Sequence, residues 1–280
     1  MRLRILTSTL PLALALLAPQ GRAQAVHACR QVADTLKVDG ILDDAAWQGL
    51  DTLLLVRNDA PPGGAPSART KVLLAWAPTG IFAAIISESR NVKGTLLRRD
   101  DPLYQQDAVE IFIDPGSDGK DYLELEWNCL NTVLDLRLSG PRSGEDVGWT
   151  ATGMRSAVRV LGSANLPADV DTGWVVEIAL PWSDLAPWSA GSLPPKAGDA
   201  LALNIYRIDT PTGQPQELSA WSPTGVPDFH RPDKFGKVTF AGPSGVSPTP
   251  SRKPGREAQA TARMGWVYRY LITGRKRNFP

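Results

Sequence analysis

Two runs of alternating apolar and polar residues flank a turn-rich octet near the middle of the chain, from Asp114 to Asp121. Successive side chains of a strand point to opposite faces, so Val109, Ile111 and Ile113 share one face with Leu123, Leu125 and Trp127. The other face carries Glu110 and Phe112 opposite Tyr122, Glu124, Glu126 and Asn128. The pattern predicts a long-looped hairpin with a core face and a wet, acidic, partly aromatic face. Similar runs predict strands at 35–38, 70–76, 80–88, 132–138, 154–160, 173–181, 199–208 and 237–240. Asp43 to Trp47 reads as one helical turn with an acidic N-terminus, and Trp47 as a plug at the end of a core. Many short strands between Gly/Pro turns, with almost no helical period, predict an all-β fold: a single-domain antiparallel β-sandwich, immunoglobulin-like or jelly-roll-like.

The first 25 residues break the pattern. Arg2 and Arg4, an apolar run from Leu10 to Leu17 and the Ala23-Gln24-Ala25 triplet form a secretory signal, with the mature chain starting at Val26. The expected location is therefore periplasmic or extracellular. From 242 to 256 the composition becomes that of a linker, and the tail 241–280 ends with Trp266, Tyr268 and Tyr270 among arginines. That tail suits contact with an anionic membrane or envelope surface, or is simply a frayed basic end.

Charge follows the same division. The whole chain is formally +1, yet the segment 26–240 holds 19 basic and 28 acidic residues. An acidic body repels phosphate, which argues against a nucleic-acid partner. Cys29 and Cys129 either pair after export or stay as buried thiols, since spacing alone does not bring their Cα atoms together.

Three chemistries can be weighed from residue types. Glu110, Glu124 and Glu126 supply carboxylates on neighbouring strands, the raw material of a glycosidase, although such alternation usually marks a solvated face. Asp114, Asp118 and Asp121 make an oxygen-rich loop that suits structural calcium, in a spacing that matches no standard calcium loop. His230 with Met154 or Met264 offers haem ligands, and nothing in the sequence pairs them.

The ordered phrases VDGILDDAAW, TKVLLAW with GIFAAIISES, YQQDAVEIFIDPG, YLELEWN, GWVVEIALPWSDL, KAGDALALNIYRID and FHRPDKFGKVTF run from Val38 to Phe240. In this order they resemble the family 9 carbohydrate-binding modules. The resemblance implies a secreted sandwich that binds sugars without hydrolysing them. It also implies two aromatic rings gripping a terminal sugar, at positions held here by Tyr104 and Phe229, with Gln105, Gln106, His230 and Arg231 beside them. Flat rings suit the apolar C–H faces of a pyranose. Glu126 and Asn128 on the hairpin are implied floor residues, although sugar-binding members of the family can carry a basic residue where Glu126 falls. The expected function is non-catalytic saccharide recognition, of a chain end or a longer glycan, in support of glycan breakdown or uptake. The competing expectation is a degenerate sandwich acting as an envelope structural or protein-interaction module.

Overall fold

A computed structural model describes residues 24–33, 36–59 and 63–243. The predicted signal up to residue 23, the tail from 244 and the candidate haem ligand Met264 lie outside the described residues. The strands are β1 (Val26–Gln31), β2 (Leu53–Leu54), β3 (Val56–Arg57), β4 (Thr70–Ala77), β5 (Gly80–Glu88), β6 (Ala108–Asp114) and β7 (Tyr122–Trp127). After these come β8 (Val133–Gly140), β9 (Ser143–Asp146), β10 (Arg155–Leu161), β11 (Gly173–Pro181), β12 (Ala200–Asp209), β13 (Glu217–Ala220) and β14 (Gly236–Pro243).

Hydrogen bonding runs in the order β10-β11-β5-β4-β1-β14-β12-β6-β7-β8-β9. The path folds into two facing layers, β10-β11-β5-β4 and β14-β12-β6-β7-β8-β9, because alternate residues of each bury one shared core. Leu74, Ile85 and Val176 come from the first layer, and Ile111, Leu125, Trp127 and Ile205 from the second. The structure is an all-β sandwich, and the core face predicted for the hairpin is the one that packs inward.

β1 is the hinge between the layers. Its first residues pair in parallel with β14, Val26 opposite Lys237 and Cys29 opposite Phe240, and its last two pair in parallel with β4. The sequence pattern predicted no strand here. It predicted one at 35–38, where the described residues 36–38 form none. Leu36 instead joins Leu42 and Trp47 in a second apolar cluster with Phe82, Ala84 and Val175. Trp47 thus covers the outer face of the first layer rather than plugging the end of the core.

Both cysteines are free, buried thiols in the main core. Burial raises each to a pKa of about 12, so neither is a ready thiolate.

The outer face of the second layer departs most from expectation. All six residues of β7 are buried, and so are all seven of β6. The face read as wet is roofed from two sides. Phe229 and Phe235 pack on Phe112, Tyr122 and Tyr206 at one end, while Leu103 packs with Ala108 and Leu134 at the other. The covering segments lie far from the hairpin in sequence, so its own alternation could not reveal them.

Candidate functional site

Antiparallel register sets the layout under that roof. Tyr206 stands opposite Glu110, and Glu110 opposite Glu126; one row along, Asn204 faces Phe112 and Phe112 faces Glu124. Three carboxylates therefore meet on one face of adjacent strands, with one oxygen from each lying within 4.8 Å of the others. Glu126 is 0% exposed, and Glu110 and Glu124 are also buried. Glu110 Oε1 is buried without a hydrogen-bond partner, and the oxygens of Glu126 make no hydrogen bond of full geometry, although the Tyr104 backbone and Glu124 lie against them.

Burial disfavours the charged form, and neighbouring carboxylates add to the effect. Burial lifts Glu124 to about 7. Burial, then the charge of Glu124, raises Glu110 well above the ordinary carboxylate value. Burial, then the charges of Glu110 and Glu124, does the same to Glu126. The basic groups that bear on the cluster stand on the Glu124 side. His230 Nε2 is 3.9 Å from Glu124 Oε2, and Arg142 acts on Glu124 through its charge.

One end of the cluster leads to Tyr104. This residue sits in a helical turn, Leu103–Gln105, whose backbone lies against Glu126. The turn is closed by Gln105 N donating to Pro102 O at 3.1 Å and Gln106 N to Leu103 O at 2.9 Å. It is anchored behind by Asp107, which pairs with the buried Arg207 at 3.2 Å; Arg207 also holds Asp209 at 2.8 Å. On this base the Tyr104 side chain stands out into solvent at 50% exposure. Gln105 is exposed beside it. Gln106 bonds Thr95 twice, accepting from its N–H at 2.9 Å and donating to its Oγ1 at 2.6 Å. Gln216 donates to Tyr104 O at 3.2 Å. Sequence reasoning missed Gln216, which lies in a polar loop with no distinguishing pattern.

The other end leads to Phe229 and His230. Phe229 is only 7% exposed. Its ring stacks on Tyr206 with centroids 4.1 Å apart, and Tyr206 Oη donates to Phe229 O at 3.0 Å. His230 Nδ1 bonds Tyr122 Oη at 2.9 Å. Burial, then Arg142, lowers the His230 pKa to about 4. Arg231 is half-buried and forks onto Asp233 at 2.9 and 3.0 Å.

The expected site residues thus fall into two groups. Tyr104, Gln105, Gln106, His230 and Arg231 keep surface. Phe229, Glu126 and Asn128 lie beneath it, and as placed they offer little to a saccharide at the surface. Asn128 is committed locally: it donates to Leu96 O at 2.9 Å and accepts from Leu130 N and Thr132 N at 3.0 Å. The hairpin-loop aspartates are also engaged. Asp114 accepts from Ser117 N and Gly119 N at 2.7 Å, Asp118 from Lys120 N at 2.9 Å, and Asp121 pairs with Arg137. These partners are the loop's own N–H groups and a neighbouring strand's arginine, the arrangement of Asx turns.

Comparisons with known proteins agree with this architecture. A profile described as carbohydrate family 9 binding domain-like matches residues 38–242. A proposed carbohydrate-binding protein from Bacteroides uniformis superposes with TM-score 0.61 at 20% identity, over 78% of this chain and 100% of its own. A family 9 carbohydrate-binding module from Caldicellulosiruptor kristjanssonii, solved with cellotriose, superposes with TM-score 0.55 at 15% identity, over 81% of this chain and 100% of its own. The same organism's module with glucose gives TM-score 0.55 at 15% identity, over 80% of this chain and 100% of its own. None of the curated proteins matches the chain.

Proposed function

The chain belongs to the carbohydrate family 9 binding domain-like family, and from that premise we propose that it binds a saccharide without hydrolysing it. The observation that carries this reading is the half-exposed Tyr104 ring, held on a rigid turn among the amides of Gln105, Gln106 and Gln216. A flat ring covers the apolar face of a pyranose at small entropic cost, and side-chain amides donate to and accept from its hydroxyls. His230 and Arg231, at the far end of the same roofed face, would extend contact along a longer glycan.

Catalysis fits less well. A glycosidase needs its two carboxyl groups open to the scissile bond, whereas Glu110, Glu124 and Glu126 are covered. The reading places the protein outside the cytoplasm, in the periplasm or beyond, supporting glycan breakdown or uptake. The burial of Phe229 favours a second reading, an envelope module that keeps the sandwich and has lost the two-ring grip.

Calorimetric titration with cello-, xylo- and manno-oligosaccharides separates the two. Saccharide binding that weakens by about tenfold in Tyr104→Ala, ~1.4 kcal/mol, supports the first. A folded protein that binds none of a broad glycan panel supports the second.

A further inference from the structure

The three carboxylates beneath the roof call for a partner that His230 and Arg142, both on the Glu124 side, do not supply to Glu110 and Glu126. A buried charge without a counter-charge costs several kcal/mol, so buried acids are normally paired, hydrogen-bonded or metal-bound. On the same layer the buried Arg207 keeps the rule, sitting between Asp107 and Asp209. At the cluster it is not kept, because Glu110 Oε1 is buried with no partner and the oxygens of Glu126 meet only the Tyr104 backbone and the carboxylate of Glu124, neither of them in full hydrogen-bond geometry.

We infer that Glu110, Glu124 and Glu126 form a binding site for one hard divalent cation, calcium or manganese. Oxygens that ligate such an ion at 2.3–2.6 Å are themselves separated by up to about 5 Å, and the three carboxylates already meet within 4.8 Å. Because the side chains come from β6 and β7, which are paired along their length, the ligand atoms are held by the sheet and need little ordering on binding. Glu124 is the most exposed of the three and adjoins the exposed Glu145 and Arg142, which marks the side by which an ion enters. A dication leaves the site near charge −1, in place of three charges or of protons forced onto acids that would otherwise ionise. This site is separate from the hairpin loop of Asp114, Asp118 and Asp121, each of which has a local partner. It also stands independently of the saccharide reading.

The test uses the full chain stripped with EDTA and titrated with calcium chloride and with manganese chloride, in the absence of any sugar. Binding of one ion per chain by calorimetry or equilibrium dialysis, with a rise of several degrees in Tm, is the expected result. Glu126→Gln, which keeps the shape of the side chain, should weaken that binding by at least about tenfold while the circular dichroism spectrum stays unchanged. Asp118→Asn should leave it intact. No stoichiometric uptake of either ion overturns the proposal, and so does wild-type affinity in Glu126→Gln. Loss of binding only in Asp118→Asn would assign the ion to the hairpin loop and overturn it as well. If Glu126→Gln fails to fold, Glu124→Gln, at the outer edge of the cluster, is read by the same criteria.

Discussion

The outer faces of the two layers each bury carboxylate, and they treat it in opposite ways. On the first layer, Glu177 is fully covered. Its Oε2 accepts the N–H groups of Asp39 and Gly40 at 2.9 Å, and its Oε1 accepts Trp47 Nε1–H at 2.8 Å. Burial raises its pKa above the ordinary value, and those three donors oppose the rise. The carboxylate pins the loop and Trp47 over the sheet, so a polar group is part of the cover. On the second layer, Glu110, Glu124 and Glu126 are covered by aromatic and aliphatic groups that offer few donors. A satisfied buried acid reads as structure. An unsatisfied cluster costs stability, and its presence points to a ligand.

The contrast breaks most visibly on deletion. Glu177→Leu leaves three N–H groups facing an apolar side chain, each worth roughly 1–3 kcal/mol when left unpaired. Urea denaturation should therefore show a loss of at least about 3 kcal/mol. The corresponding loss of charge at the other face, Glu126→Gln, should leave the EDTA-treated protein as stable as wild type or more so. A Glu177→Leu variant within about 1 kcal/mol of wild type would erase the distinction between the two faces.

Proton linkage gives a smaller, graded effect. Glu124 has a folded pKa of about 7 against an ordinary 4.5, so the folded protein keeps a proton that the unfolded chain releases. Its contribution is fully present below about pH 4.5 and is lost as pH rises through about 7. Glu110 and Glu126 are shifted the same way and extend the loss upward. His230 works in the other direction. Its folded pKa of about 4 lies below the ordinary 6.5, so its contribution is complete above 6.5 and is lost as pH falls through about 4. Between about pH 6.5 and pH 8 the cluster carboxylates dominate, below the range where the unfolded chain begins to ionise Cys29 and Cys129, and metal-free protein should lose stability across that interval. Replacing all three with Gln should flatten the slope, as should saturating calcium. An unchanged slope in the triple variant would place the titration elsewhere.

Much of this architecture was legible because it is local. Strand periodicity placed the long strands, and parity put Val109, Ile111, Leu125 and Trp127 in the core, where the structure has them. The ordered phrases identified the family. What the chain did not disclose depends on segments meeting from far apart. Glu126 alternates like a surface residue, and only the approach of the 103–105 turn and of residues 229–235 makes it interior. β1 lacks a partner in its own neighbourhood, because it pairs with β14, some two hundred residues later. Gln216 reaches the Tyr104 turn from a loop with no periodic pattern at all. Tyr104 came from the family resemblance and from no local pattern, and the 103–105 turn that carries it was not predicted.

The smallest expected effect concerns the outermost edge of the second layer's roof. Arg231 pairs with Asp233, two residues away and exposed to water, and such a pair is worth at most about 1 kcal/mol. Arg231→Ala should therefore change urea stability by no more than about 1 kcal/mol, where Glu177→Leu should change it by more. Its value lies in binding. If saccharide affinity falls by several-fold with stability intact, the ligand reaches from Tyr104 across the roof to the far end, and the roof itself is the recognition surface. If affinity is unchanged, recognition is confined to the Tyr104 end, and the Phe229 end serves to close the cover over the carboxylates.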